Sequence, residues 1–151
     1  MKYKNFIYIL ASLFLISSCD LAKKFPDNTA IIEPKKELEV MKNTVNFEFD
    51  KYSLTYDAKK ILDDEITPWL EQNQVLKVVI EGHCDERGSQ SYNKKLGLNR
   101  AKSVKEYLVK KGIDASRIKV VSYGKTKPID LGHNEDAWAK NRRGVVVEIK
   151  K

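Results

Sequence analysis

The sequence predicts an α+β domain in which one mixed four-stranded sheet carries helices over it. Three observations point that way. Val45, Phe47 and Phe49 alternate with Asn46, Glu48 and Asp50, the period of two that marks a half-buried strand. Ala58, Ile61, Leu62, Ile66, Trp69 and Leu70 keep helical spacing instead, and so do Leu96, Val104 and Leu108 further on. Residues 76–80, 118–123 and 144–149 are apolar runs of strand length, so the periods follow the order strand, helix, strand, helix, strand, short helix, strand.

At the N-terminus, Lys2 and Lys4 precede an apolar run over residues 6–16, followed by Ser17, Ser18 and Cys19. That is the layout of an export leader, and the run falls short of the ~20 residues of a spanning helix, so residues 1–18 are read as a removed signal peptide. Residues 19–44 contain Pro26, Pro34 and charged clusters without sustained periodicity, and are read as a flexible tether. Fully extended at ~3.4 Å per residue, it reaches about 85 Å. The compact domain is placed at 45–151.

Within that domain, Ser53 or Thr55 can cap the first helix. Pro68 should kink or restart it, because proline lacks the N–H and its ring clashes with the preceding turn. The second strand, 76–80, ends in the polar loop Gly82-His83-Cys84-Asp85-Glu86-Arg87-Gly88. A second helix over 91–111 stops at Gly112, since glycine accepts the left-handed conformation found there. The third strand covers 118–123, a short helix 135–141, and the valines of 144–149 read as a buried fourth strand.

Of 151 residues, 42% are hydrophobic and 32% charged, which suits one soluble folded domain and excludes both a multi-span membrane protein and disorder throughout. Two cysteines, Cys19 and Cys84, make neither a disulfide framework nor a Cys-x-x-Cys pair for zinc or redox chemistry. The net charge is +7, and +5 once residues 1–18 take Lys2 and Lys4 with them. An exported chain does not meet the genome, so the basic balance points to an acidic wall polymer or an anionic headgroup surface and away from nucleic acid. Trp69 and Trp138 form no basic-aromatic ladder for stacking bases.

One charge falls where the core should be. Leu96, Val104 and Leu108 share a helix face at steps of four, and Arg100 occupies the missing step. A buried guanidinium needs a partner. Asp85, in the loop at the end of the second strand, is the candidate, and two readings stand. The two residues form a structural ion pair, or they are held apart as a clamp for a zwitterion, Asp85 on the ammonium and Arg100 bidentate on the carboxylate.

Phe47-Glu48-Phe49-Asp50-Lys51-Tyr52-Ser53, Glu81-Gly82-His83-Cys84-Asp85-Glu86-Arg87-Gly88, Leu96-Gly97-Leu98-Asn99-Arg100-Ala101 and Asn141-Arg142-Arg143 together resemble the OmpA-like domain, and within it the branch of peptidoglycan-associated lipoproteins. The resemblance covers nearly all of 45–151. It implies a two-layer sandwich with the helices on one face of the sheet, and a binding module with no catalytic residue, no metal and no cofactor. Its implied ligand is the diaminopimelate residue of the peptidoglycan stem peptide, with Asp85 on the ammonium and Arg100 on the carboxylate. Backbone N–H groups around Asp50 and Leu96 complete the carboxylate site, and Phe49 and Arg87 line it; Arg142 belongs to a further family motif. Lysine-type stem peptides lack the second carboxylate and are expected to be rejected.

Leu15-Ile16-Ser17-Ser18-Cys19 resembles a bacterial lipobox, which makes Cys19 an acylated anchor. Together these imply a lipoprotein on the periplasmic face of the outer membrane, tying that membrane to the wall within a Tol–Pal system that supports envelope integrity and cell division. The implied protein partner is the periplasmic propeller protein of the Tol system. Two positions depart from the pattern: Cys84 stands where the family often has threonine, and Asp20 follows Cys19, which in enteric bacteria favours inner-membrane retention.

The rival readings are an enzyme, a metal site and a pure interaction module. An enzyme would use Cys84 as nucleophile with His83 or His133 as base, but neighbours on a strand face opposite ways. A metal site from His83, Cys84, Asp85 and His133 lacks ligand spacing. His83 is expected to be packed and hydrogen-bonded at the strand end. The interaction module would take a Tol protein as its main ligand and leave Asp85 and Arg100 as an ion pair.

Overall fold

A computed structural model describes residues 43–150. The signal peptide, Cys19 and nearly all of the tether lie outside the described residues. Four strands, β1 (Thr44–Asn46), β2 (Val78–His83), β3 (Ile118–Gly124) and β4 (Arg143–Glu148), form one sheet in the order β1-β4-β2-β3. Thr44, assigned to the tether from the sequence, is already paired with Val145. β4 lies antiparallel between β1 and β2, and β3 runs parallel to β2 at the other edge. This is the mixed four-stranded α+β architecture expected from the alternating periods.

The core lies on the helical side of the sheet. Val45, Val78, Ile80, Ile118 and Val146 pack with Leu62, Ile66 and Leu70 of the first helical segment and with Ala101, Val104 and Leu108 of the long helix. Val79, Glu81, Val145 and Val147 on the opposite face are only half-buried.

The first helical segment is α1 (Tyr56–Ile61), a π-helical turn (Leu62–Ile66) and α2 (Thr67–Gln72) in succession. Thr55 is the cap of the two candidates, its hydroxyl accepting from the Ala58 N–H at 3.1 Å. Pro68 restarts the segment as α2, as expected, and does not end it. The Thr67 N–H reaches back five residues to the Leu62 carbonyl, and this wider turn leads into α2 with the proline in its first turn, where a missing N–H costs nothing.

β3 and β4 shift by a single residue from their expected bounds, and β1 and β2 differ by more. The alternation at 45–49 continues beyond the strand itself, because β4 begins at Arg143 opposite Asn46 and offers no further partner. Phe47 is buried with its N–H on the Arg142 carbonyl at 2.9 Å, but Phe49 is 54% exposed. β2 starts two residues late and runs on through Gly82 and His83, since Gly82 pairs with both Ser122 and Gly144.

That extension depends on a close crossing. The long helix α3 (Gln90–Lys110) rests on β2 at Gly97, and a Cβ on Gly82 would lie 1.8 Å from the Gly97 carbonyl oxygen. Only glycine permits such backbone contact. Ser89 caps α3, accepting from the Tyr92 N–H at 3.2 Å. At the other end Gly112 has φ +102, with Gly112 N–H on Val109 and Ile113 N–H on Leu108, the paired bonds of a Schellman stop. The short helix α4 (Glu135–Asn141) matches the expected 135–141 and is capped by Asn134.

Candidate functional site

A cavity of about 230 Å³ opens where the C-terminal end of β2, the first three turns of α3 and the turn after β1 meet. Phe49, Asp50, Asp85, Arg87, Leu96 and Arg100 all line it, together with Cys84, Tyr92 and Asn93. Each is placed by a different device. The Gly82–Gly97 crossing brings α3 against β2, which sets Arg100 one turn further along, and Asp85 follows the last residues of β2.

Arg100 is 1% exposed. Its Nε donates to the Lys51 carbonyl at 2.9 Å, Nη1 to His83 at 2.8 Å and Nη2 to Glu48 at 3.1 Å. Among the described residues no carboxylate lies within ion-pair distance of it. Burial draws its pKa below the ordinary guanidinium value. Among the described residues, three neutral carbonyls thus fix the orientation of a buried cation and leave its charge without a formal counterion, engaging three of its five N–H groups.

Asp85 is filled differently. Its Oδ1 accepts from the Arg87 N–H at 3.1 Å and Arg87 Nε at 3.2 Å, and its Oδ2 from Arg87 Nη2 at 2.8 Å and Arg142 Nη1 at 3.4 Å. Burial pushes its carboxyl up, but the Arg87 hydrogen bonds and charge outweigh that and hold it below the usual range. The structural ion pair between Asp85 and Arg100 is therefore corrected: the two line one cavity but pair with other groups. The reason is sequence proximity, since Arg87, two residues on, reaches the carboxylate through both backbone and side chain.

Arg87 is itself held by two aromatic rings. Its Cζ lies 3.9 Å from the centroid of Phe49 and 4.1 Å from that of Trp138. Glu86 accepts from Trp138 Nε1 at 2.8 Å and contacts His133 Nδ1 at 2.8 Å. Arg142 spans the Phe47 carbonyl at 3.0 Å, Asp85 and Glu135 Oε1 at 2.6 Å. Trp138, Glu86 and Glu135 escaped the sequence reading. A signal existed for Trp138, which stands four residues before Arg142 and so lies on the same side of the turn leading to it.

Asp50 and Leu96 play unequal parts. Lys51 N–H closes a turn on the Glu48 carbonyl at 3.2 Å, and Asp50 inside it has φ +58, an uncommon conformation for a residue other than glycine. Tyr92 donates its hydroxyl to the Asp50 carboxylate, and among the described residues the Asp50 N–H has no backbone acceptor. Leu96 sits inside α3, where amides bond the carbonyl four residues back, so it offers the cavity a side chain and not an N–H.

Cys84 and the histidines do not assemble. The Cys84 thiol is buried, donates to the Asn93 carbonyl at 3.3 Å and is pushed up in pKa by burial. His83 lies on the other face of the strand, stacked on Tyr123 at 5.5 Å, and His133 is engaged with Glu86. The expectation that His83 is hydrogen-bonded is corrected: among the described residues neither ring nitrogen has a hydrogen-bond partner, and Glu81 Oε2 stands 3.5 Å from Nε2. Burial, with Arg143 and Lys127 nearby, lowers its pKa to about 4 and keeps the ring neutral. Among the described residues no three His, Cys, Asp or Glu side chains cluster as for a metal.

Comparison with known proteins gives a consistent picture. A profile described as the OmpA family matches residues 46–142. The peptidoglycan-associated lipoprotein of Pasteurella multocida is 38% identical over 147 residues, covering 96% of this chain and 97% of that one. That of Haemophilus influenzae is 47% identical over 110 residues, covering 73% of this chain and 71% of its own length. Among solved structures, the peptidoglycan-associated lipoprotein from Burkholderia pseudomallei aligns with a TM-score of 0.68 at 36% identity, over 71% of this chain and 90% of that one. The C-terminal domain of Helicobacter pylori MotB shares the fold, at TM-score 0.66 and 20% identity over 72% of this chain and 84% of its own.

Proposed function

The chain belongs to the OmpA family, and on that premise we propose that it is a non-catalytic envelope lipoprotein that binds peptidoglycan through the cavity at Arg100 and Asp85. The observation that carries this reading is Arg100, a buried cation held by three carbonyls and open to an anion. The ligand is the free amino-acid end of diaminopimelate in the stem peptide. Its carboxylate takes the remaining Arg100 donors and the Asp50 N–H, its ammonium approaches Asp85, and its methylene chain lies along Leu96 and Phe49. A lysine-type stem peptide lacks the distal side-chain carboxylate and leaves Arg100 desolvated without compensation, so the pocket discriminates against it.

The rest of the chain serves tethering. Acylation of Cys19 anchors the protein in the outer membrane with its domain in the periplasm, and residues 20–42 supply reach, so that membrane and wall are tied non-covalently in support of envelope integrity and cell division. The propeller protein of the Tol system is the proposed protein partner; exposed Phe49 and Tyr92 on the cavity rim favour a protein contact at the same mouth.

The test is calorimetric titration of the full-length protein in detergent. The ligands are a stem tripeptide ending in meso-diaminopimelate and its lysine counterpart. Binding of the first alone, lost in Arg100→Ala, supports the clamp. A folded protein that binds neither returns the cavity to a protein-docking role.

A further inference from the structure

The two charges of the clamp are not equally available. Arg100 faces the cavity with only neutral carbonyls on it, whereas both oxygens of Asp85, a residue 5% exposed, are already claimed by Arg87 and Arg142. An incoming ammonium has to share or displace one of them. Arg142 is the poorer candidate to leave, because it is buried and tied to the Phe47 carbonyl and Glu135 as well. Arg87 is half-buried, and its position has a second possible partner. Its Nη2 lies 2.8 Å from Asp85 Oδ2 and 3.8 Å from Glu135 Oε2.

The aromatic slot makes that second position accessible. Arg87 Cζ lies within about 4 Å of both the Phe49 and the Trp138 ring centroids, so a short shift of the guanidinium from Asp85 toward Glu135 can keep both ring contacts. Trp138 is fixed in turn by its bond to Glu86. The slot therefore restricts Arg87 to a path between two carboxylates, one at the cavity wall and one on α4 at the surface.

Resting on the diaminopimelate reading of the pocket, we propose that Arg87 is a specificity-determining residue that competes with the ligand ammonium for Asp85, shifting toward Glu135 when the ammonium takes its place. The carboxylate of the ligand then supplies most of the recognition, through Arg100, and Arg87 weakens the contribution of the ammonium. This sets Arg87 apart from a residue that only lines the cavity, whose loss would weaken every ligand alike.

The experiment compares two tripeptides on full-length protein in detergent. One ends in meso-diaminopimelate, the other in 2-aminopimelate, which keeps the distal carboxylate and lacks the distal ammonium. In the native protein the preference for the first is small, within about threefold, because Arg87 already neutralises Asp85. In Arg87→Gln the preference rises by about tenfold, since the freed carboxylate now needs the ammonium. Arg87→Lys, which keeps a charge but cannot bond bidentately, falls between, and supplies the reading should Arg87→Gln fail to fold. A preference unchanged or reduced in the variants, including equal weakening of both ligands, overturns the competition while leaving the pocket assignment in place. A native protein that binds neither tripeptide overturns the pocket assignment itself.

Discussion

The two halves of α3 bury different chemistry. From Ala101 onward the inward positions are Ala101, Val104 and Leu108, and their stabilisation is ordinary apolar burial against β2, β3 and β4. From Gln90 to Arg100 they are Asn93, Gly97 and Arg100. Asn93 has its amide on the Arg87 carbonyl at 2.7 Å, Gly97 gives up a side chain for backbone contact, and Arg100 needs three carbonyls to be tolerated at all. One half anchors the helix; the other spends that rigidity on holding a buried charge at a cavity wall. A guanidinium fixed in this way loses little further freedom when an anion arrives.

Substitutions that separate the two roles follow, in decreasing size. Leu108→Ala lowers unfolding free energy by about 2–5 kcal/mol, as expected for an uncollapsed core cavity, while the molecules that remain folded bind diaminopimelate peptide with native affinity. Urea melts and titration on one preparation check both parts; a large affinity loss would show that the halves are not separable. Arg100→Met does the reverse. Affinity falls by two orders of magnitude or more, about 3–4 kcal/mol, and stability changes less than in Leu108→Ala because an apolar side chain of similar length replaces the desolvated charge.

Acid should strike the pocket half through His83. Its folded pKa of about 4 lies below the ordinary value near 6.5, so between those limits the unfolded chain binds more protons. Stability is complete above about pH 6.5 and declines as pH falls toward 4, by up to about 3 kcal/mol from this group. Thermal melts of His83→Phe should lose that slope in this window; a parallel slope in the variant would assign it elsewhere. The smallest effect is at the helix entry. Ser89→Ala costs about 1 kcal/mol of stability by removing the cap on the Tyr92 N–H, with little change in affinity because the Gly82–Gly97 crossing still seats the helix.

The sequence made some features of this arrangement plain and concealed others for identifiable reasons. Helices announced themselves through period and punctuation, Ser53 or Thr55 before α1 and Gly112 after α3. Strand ends did not, since an alternating run such as 45–49 carries no mark of where its partner stops. Arg100 stood out because a charge broke an apolar stripe, and Asp85 because it closed a strand. Their partners were hidden: Arg87 lay in plain view two residues from Asp85, but nothing in a linear pattern says which of several arginines a carboxylate will take. The pairing of Trp138 with Arg87 crosses between α4 and the loop after β2, a distance that no local rule spans. His83 shows the opposite failure, since burial of a strand-end histidine is anticipated, yet among the described residues neither ring nitrogen makes a hydrogen bond.

A resemblance carried by its motifs named six of the residues that line the cavity, and the sequence by itself determined the order of elements, the stop of the long helix at Gly112 and the presence of one cation in an apolar stripe. These depend on neighbours within a turn or a strand pair, where spacing is geometry. The tertiary structure alone decided that Arg100 is answered by carbonyls, that Arg87 and Arg142 fill Asp85, and that aromatic rings from two distant segments hold Arg87 in a slot. Such choices depend on which groups reach a buried atom first within about 3 Å, and that is settled only when β2 and α3 close on one another at Gly82 and Gly97.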